Sequence, residues 1–122
     1  MKKLLCLLVL IFLVGCTIKE YKRVSPKEAE VMMSKMSESY VIVDVREANE
    51  YQEGHIEGAI NIPLGEIEVT APNLLKDKNQ TIFVYCRSGN RSQTGSQTFV
   101  ELGYKNVIEM GGIIDWEGNV IK

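Results

Sequence analysis

Cys86 is the residue whose setting could do chemistry. It closes a strand-like run, Thr81 to Tyr85, and is followed by Arg87-Ser88-Gly89-Asn90-Arg91, a short polar stretch with one glycine and two cations. The pattern predicts a buried strand that delivers one cysteine to a tight cationic loop ahead of a helix. The first four amides of a helix lack internal partners and the positive end of its dipole lies there, so successive N–H groups can converge on an anion or a thiolate. The helix terminus and the cations Arg87 and Arg91 both favour the ionised form of Cys86, which is the nucleophile. The same features attract an anionic substrate. Ser88 and Asn90 suit a turn rich in exposed amides, and Gly89 permits the backbone to aim them inward. No histidine neighbours Cys86, so activation by an adjacent base has little support.

Several elements must position that loop. Ser25-Pro26-Lys27-Glu28 reads as a capping box with proline at the first helical position. Ala29, Met32, Met33 and Met36 follow at i, i+3, i+4 and i+7, one apolar face for a sheet to receive. Tyr40 to Val45 is nearly continuous and β-branched, the composition of a strand buried on both faces of a parallel sheet. It ends in Asp44-Val45-Arg46-Glu47, at the strand end where open α/β sheets place their ligand crevices. A helical turn over Ala48 to Gln52, a second short strand over Ala59 to Ile62 stopped by Pro63, and one or two short helices between Gly65 and Lys76 interrupted at Pro72 are expected next. Ser92 to Leu102 reads as a helix closed by Gly103, and Asn106 to Glu109 as another short strand. Alternating strands and helices predict an α/β fold, mostly parallel, with helices on both faces.

The amino terminus reads as a targeting segment. Lys2 and Lys3 precede an apolar run from Leu4 to Val14, of signal-peptide length and short for a bilayer span. Leu13-Val14-Gly15-Cys16 resembles the lipobox of bacterial lipoproteins, in which the chain is cut after the glycine and the cysteine is lipidated. On this reading residues 1–15 are the signal peptide, 16–23 a lipidated tether and 24–122 the domain, held at the bacterial cell envelope outside the cytoplasm by acyl chains on Cys16. Cys6 then leaves with the signal and Cys16 is consumed, so Cys86 has no partner for a disulfide. The formal charge is −2 before Lys2 and Lys3 are lost. That mild acidity argues against a nucleic-acid partner.

An ordered set of landmarks runs through nearly the whole domain. They are Ser25-Pro26, Asp44-Val45-Arg46 with Glu50-Tyr51, Gly54-His55-Ile56 through Gly58-Ala59-Ile60-Asn61-Ile62-Pro63, Tyr85-Cys86-Arg87-Ser88-Gly89-Asn90-Arg91-Ser92, and Met110-Gly111-Gly112-Ile113 with Trp116. On these residues the chain resembles the single-domain rhodaneses. Glu57 departs from the family's usual Pro-Gly after His-Ile, a change expected to touch surface chemistry only.

The resemblance implies a rhodanese-like sheet of about five strands and a two-step sulfur transfer. Cys86 would take the sulfane sulfur of a small anionic donor such as thiosulfate, carry it as a persulfide, and pass it to cyanide or a thiol. Arg87 and Arg91 would bind the anion, the backbone from Arg87 through Ser88, Gly89 and Asn90 to Arg91 would hold the sulfur, and Asp44 and Arg46 would brace the loop, with an Asp44–Arg91 pair as one expected contact. No cofactor or metal is implied, and a monomer is expected. Two alternatives stand beside this reading. A lipid-tethered binding or sensing module could keep the fold without turnover. Phosphatases and arsenate reductases of the same fold use Cys-x5-Arg, whereas Arg91 makes the spacing here Cys-x4-Arg, which favours the smaller sulfur substrate. His55, the only histidine, is expected to make a structural hydrogen bond in its turn, Glu47, Glu50 and Glu53 to form a solvated helix face, and Gly111-Gly112 with Trp116 to close the fold behind the loop. No Walker loop, dinucleotide fingerprint or Cys/His cluster is present.

Overall fold

The computed structural model describes residues 21–122. The expected signal segment and Cys16 lie outside the described residues. Five strands form one parallel sheet in the order β1-β6-β5-β2-β4: β1 Tyr21–Arg23, β2 Tyr40–Asp44, β4 Ala59–Asn61, β5 Thr81–Cys86 and β6 Asn106–Gly112. A small antiparallel pair, β3 His55–Ile56 with β7 Val120–Ile121, lies apart from it. The helices are α1 Pro26–Lys35, α2 Ala48–Glu53, α3 Ile67–Leu74 and α4 Asn90–Glu101.

The central strands are buried on both faces, and their side chains alternate between two cores. Ile82, Val84 and Cys86 of β5 face α3 and α4 together with Val43, Val45, Ile67, Ala71 and Phe99. Phe83 and Tyr85 face the other way, toward Ala29 and the methionines of α1, with Ile42, Ile108 and Met110. The capping box of α1 forms where the sequence places it: Ser25 Oγ accepts from the Glu28 amide at 3.0 Å and the Glu28 carboxylate accepts from the Ser25 amide at 2.8 Å. The methionine face of this helix packs on the sheet, the core role that its spacing predicts.

Four stretches differ from the sequence reading. Tyr21–Arg23, the end of the expected tether, is an edge strand paired with Val107–Glu109. Pro72 lies inside α3 rather than breaking it, near a C-terminus where the amide it lacks costs one hydrogen bond. α4 begins at Asn90, two residues early, because Gly89 at φ 110° turns the chain straight from the loop into the helix. β6 runs three residues past Glu109 to Gly112, through a register shift opposite Val84 and Cys86.

Candidate active site

Parallel strands all end at the same edge of the sheet, and β5 ends there at Cys86. The residue is 1% exposed, but its sulfur faces polar partners. The Gly89 amide donates to Sγ at 3.0 Å, and the Ser92 amide, in the first turn of α4, donates at 3.3 Å. Both contacts suit a negatively charged sulfur, and both come from backbone that the loop and the helix dipole aim at one point. The inward-facing amides expected from the sequence are therefore present.

The loop keeps its shape because β6 presses against its back. At Gly112 a Cβ would lie 2.0 Å from the Arg87 carbonyl oxygen and 2.6 Å from Ser88 Cα, so no side chain fits there. The Ile114 amide donates to that same carbonyl at 3.3 Å. Trp116 takes no part in this backing, since it packs on the α1 side of the sheet, away from the sulfur.

The side chains around the loop divide the expected roles differently. Arg91 makes a bidentate pair with Glu50 of α2, at 2.8 and 3.1 Å, not with Asp44. The Arg91 hydrogen bonds hold the Glu50 carboxyl down at about 2, and Glu50 in turn raises Arg91, with the Cys86 charge adding to that rise. Asp44 is taken by its own neighbour. It accepts from Arg46 Nε at 3.0 Å and Nη2 at 2.7 Å and from the Tyr85 hydroxyl at 2.7 Å, all buried. Burial works against the Arg46 charge, but Asp44 outweighs it and the guanidinium is raised; burial, then Asp44, drives the Tyr85 phenol well above its ordinary range. Asp44 and Arg46 thus hold Tyr85 and the Gly54 carbonyl rather than the 87–91 loop itself. Arg87 and Asn90 are exposed, and among the described residues the Arg87 side chain makes no hydrogen bond or ion pair. His55 donates from Nδ1 to the Tyr51 carbonyl, 2.9 Å away, and stacks on the Tyr51 ring, a structural role. Glu57 binds the Asn119 amide at the surface, 2.9 Å away.

Two residues near the sulfur escape a reading of the sequence. Glu50 has the pattern of a solvated helix face because its partner is distant in the chain. Glu109 sits in β6 at 1% exposure and accepts from the Ser92 hydroxyl at 2.5 Å, which itself lies 3.4 Å from Cys86 Sγ. An acidic residue in the middle of the apolar run Val107-Ile108-Glu109-Met110 is the available signal.

Comparison with known proteins agrees with this geometry. The family model of the rhodanese-like domain matches residues 25–119. The chain belongs to the rhodanese-like family. It is 41% identical over 73 residues to the thiosulfate sulfurtransferase PspE of Escherichia coli, covering 60% of this chain and 70% of that protein. It is 33% identical over 100 residues to the thiosulfate sulfurtransferase GlpE of Coxiella burnetii, covering 81% and 90%. A Bacillus subtilis relative, described as the putative sulfur carrier protein YrkF, is 44% identical over 82 residues. That match takes in 66% of this chain and only 43% of YrkF. Among solved structures, an Escherichia coli rhodanese with anions superposes with a TM-score of 0.66 at 37% identity, over 69% of this chain and 99% of its own. A rhodanese-related protein of Thermoplasma volcanium gives 0.69 at 28% identity, over 83% and 98%.

Proposed function

We propose that this rhodanese-like domain is a sulfurtransferase in which Cys86 is the nucleophile and persulfide carrier. The observation that carries the reading is the convergence of the Gly89 and Ser92 amides on Sγ, with Arg87 exposed at the loop's outer side. In the first step the Cys86 thiolate attacks the outer sulfur of thiosulfate or a related donor. The S–S bond to the sulfonate breaks, sulfite leaves with its electron pair, and Cys86 becomes a persulfide anion. In the second step cyanide or a thiolate attacks the terminal sulfur, and Cys86 leaves as the thiolate it began as. No net oxidation of the protein occurs. Arg87 attracts the donor, while Arg91, paired with Glu50, keeps the loop shaped and shares its charge with the sulfur.

The domain works at the bacterial cell envelope, tethered through Cys16. Intact mass after thiosulfate treatment tests the reading: one added sulfur is expected on the purified chain and none on Cys86→Ser, with thiocyanate formation from cyanide lost in the same variant. A chain that gains no sulfur would refute it. The relative described as a putative sulfur carrier favours a second form of the same chemistry, in which the persulfide passes to a partner protein's thiol instead of turning over with cyanide. A stable persulfide that cyanide fails to discharge would mark that form.

A further inference from the structure

Behind Cys86 lies an unbroken line of hydrogen bonds. Sγ is 3.4 Å from Ser92 Oγ, Ser92 Oγ is 2.5 Å from Glu109 Oε2, and Glu109 Oε2 also accepts from the Gly111 amide at 2.9 Å. Ser92 has one hydroxyl proton, and it can serve the carboxylate or the sulfur but not both. With the proton on the Glu109 side, the sulfur can only donate to Ser92, which requires a thiol. With Cys86 ionised, the Ser92 oxygen would turn a lone pair toward a negative sulfur unless its proton came back.

We propose that Glu109 is the internal proton acceptor for Cys86, acting through Ser92. In the forward step the Cys86 S–H bond breaks and its proton joins Ser92 Oγ, while the proton of Ser92 moves to Glu109. Every hydrogen bond in the line then runs the other way: Glu109 O–H donates to Ser92 Oγ, and Ser92 O–H donates to the thiolate. No side chain turns, no polar atom is left unpaired, and one negative charge has moved from the carboxylate to the sulfur. Ser92 touches the reacting atom, and Glu109 is a positioning residue behind it.

The charge balance favours the transfer. As a carboxylate Glu109 is buried, and among the described residues the one cation touching it is Arg23 of β1, a single 3.3 Å contact from a side chain that is 61% exposed. A buried charge so lightly matched is costly. The sulfur, in contrast, has the Gly89 and Ser92 amides, the N-terminus of α4, and the Arg91 charge, which it shares with Glu50. The proposal rests on Cys86 as nucleophile, but not on any sulfur donor.

The test is the pH profile of iodoacetamide alkylation of Cys86 in the whole protein and in Glu109→Gln, which keeps an oxygen for Ser92 but cannot take a proton. In the relay Glu109 is neutral whenever Cys86 is a thiolate, and glutamine stands in for that neutral acid, so alkylation of the variant at mildly acidic pH is expected within about threefold of the natural rate. A variant faster by about tenfold or more would overturn it, because that is the effect of removing a carboxylate that keeps its charge beside the sulfur. Should the variant not fold, infrared spectra of the natural protein decide: a protonated-carboxyl band is expected before Cys86 is capped with methyl methanethiosulfonate and is lost after, while no such change refutes the relay. Neither readout involves sulfur transfer, so a chain that fails to accept sulfane sulfur can still show the relay, and an active sulfurtransferase can still lack it.

Discussion

Tyr85 and Cys86 are neighbours in one strand, yet each ends in a different buried polar cluster. On the Tyr85 face, Asp44 has a full set of partners: the Arg46 amide, Nε and Nη2 of the same residue, and the Tyr85 hydroxyl. Arg46 passes on to the Gly54 carbonyl, and Tyr85 accepts from the Ile56 amide. Each charge there meets its opposite inside the protein, and nothing remains to be exchanged. On the Cys86 face the acid is Glu109, its counterion is an exposed arginine, and one hydroxyl proton is shared between a carboxylate and a sulfur. Burial alone therefore does not separate structural from reactive polar groups. Completeness of pairing does, and the incomplete cluster is the one beside the nucleophile.

The comparison breaks most readily at Asp44. Asp44→Asn leaves Arg46 buried without its anion, and a loss of about 3 kcal/mol is expected, a fall in Tm of roughly 15 °C. Thermal unfolding followed by circular dichroism measures it; a fall of only a few degrees would mean that this face is not the structural one. Gly112→Ala reaches the other face. The added Cβ collides with the Arg87 carbonyl rather than with a movable side chain, so the loop must shift. About 2 kcal/mol of stability is expected to go, together with about a tenfold loss in the rate of sulfane loading, because the Gly89 and Ser92 amides no longer meet at Sγ. Loading at the natural rate would show that the loop does not depend on its backing strand.

Local patterns carry much of this into the sequence. Capping at Ser25, the methionine face of α1 and the strand ending in Cys86 each depend on residues a few positions apart, and each stands where the spacing places it. The pairings across the site depend on topology instead. Arg91 meets Glu50 because α2 follows the strand beside β5, and no spacing along the chain reveals that. The place of Asp44 at a strand end suggests Arg91 as its partner, but Arg46, two residues on, folds back first and takes the carboxylate with its backbone amide as well as its side chain. Glu109 needs three elements at once, β6 to bury it, α4 to bring Ser92 and β1 to bring Arg23, and the sequence of β1 reads as tether.

The smallest expected effect belongs to the pair that joins the loop's helix to α2. Arg91 and Glu50 are each about a third exposed, so solvent screens them and the pair is worth about 1 kcal/mol or less. Its pH dependence is still distinctive. The Arg91 hydrogen bonds hold Glu50 at about 2, against an ordinary value of 4.5. A carboxyl lowered in the fold stabilises above its unfolded value, and that contribution disappears as pH falls through the folded one. Glu50→Gln should therefore unfold at a slightly lower temperature than the natural protein at neutral pH, and the gap should close between pH 4.5 and about 2. Paired melting curves across that range measure the gap. A difference that persists unchanged at the acid end would place the contribution in packing, and Arg91 would then have to be counted as a free cation beside Cys86.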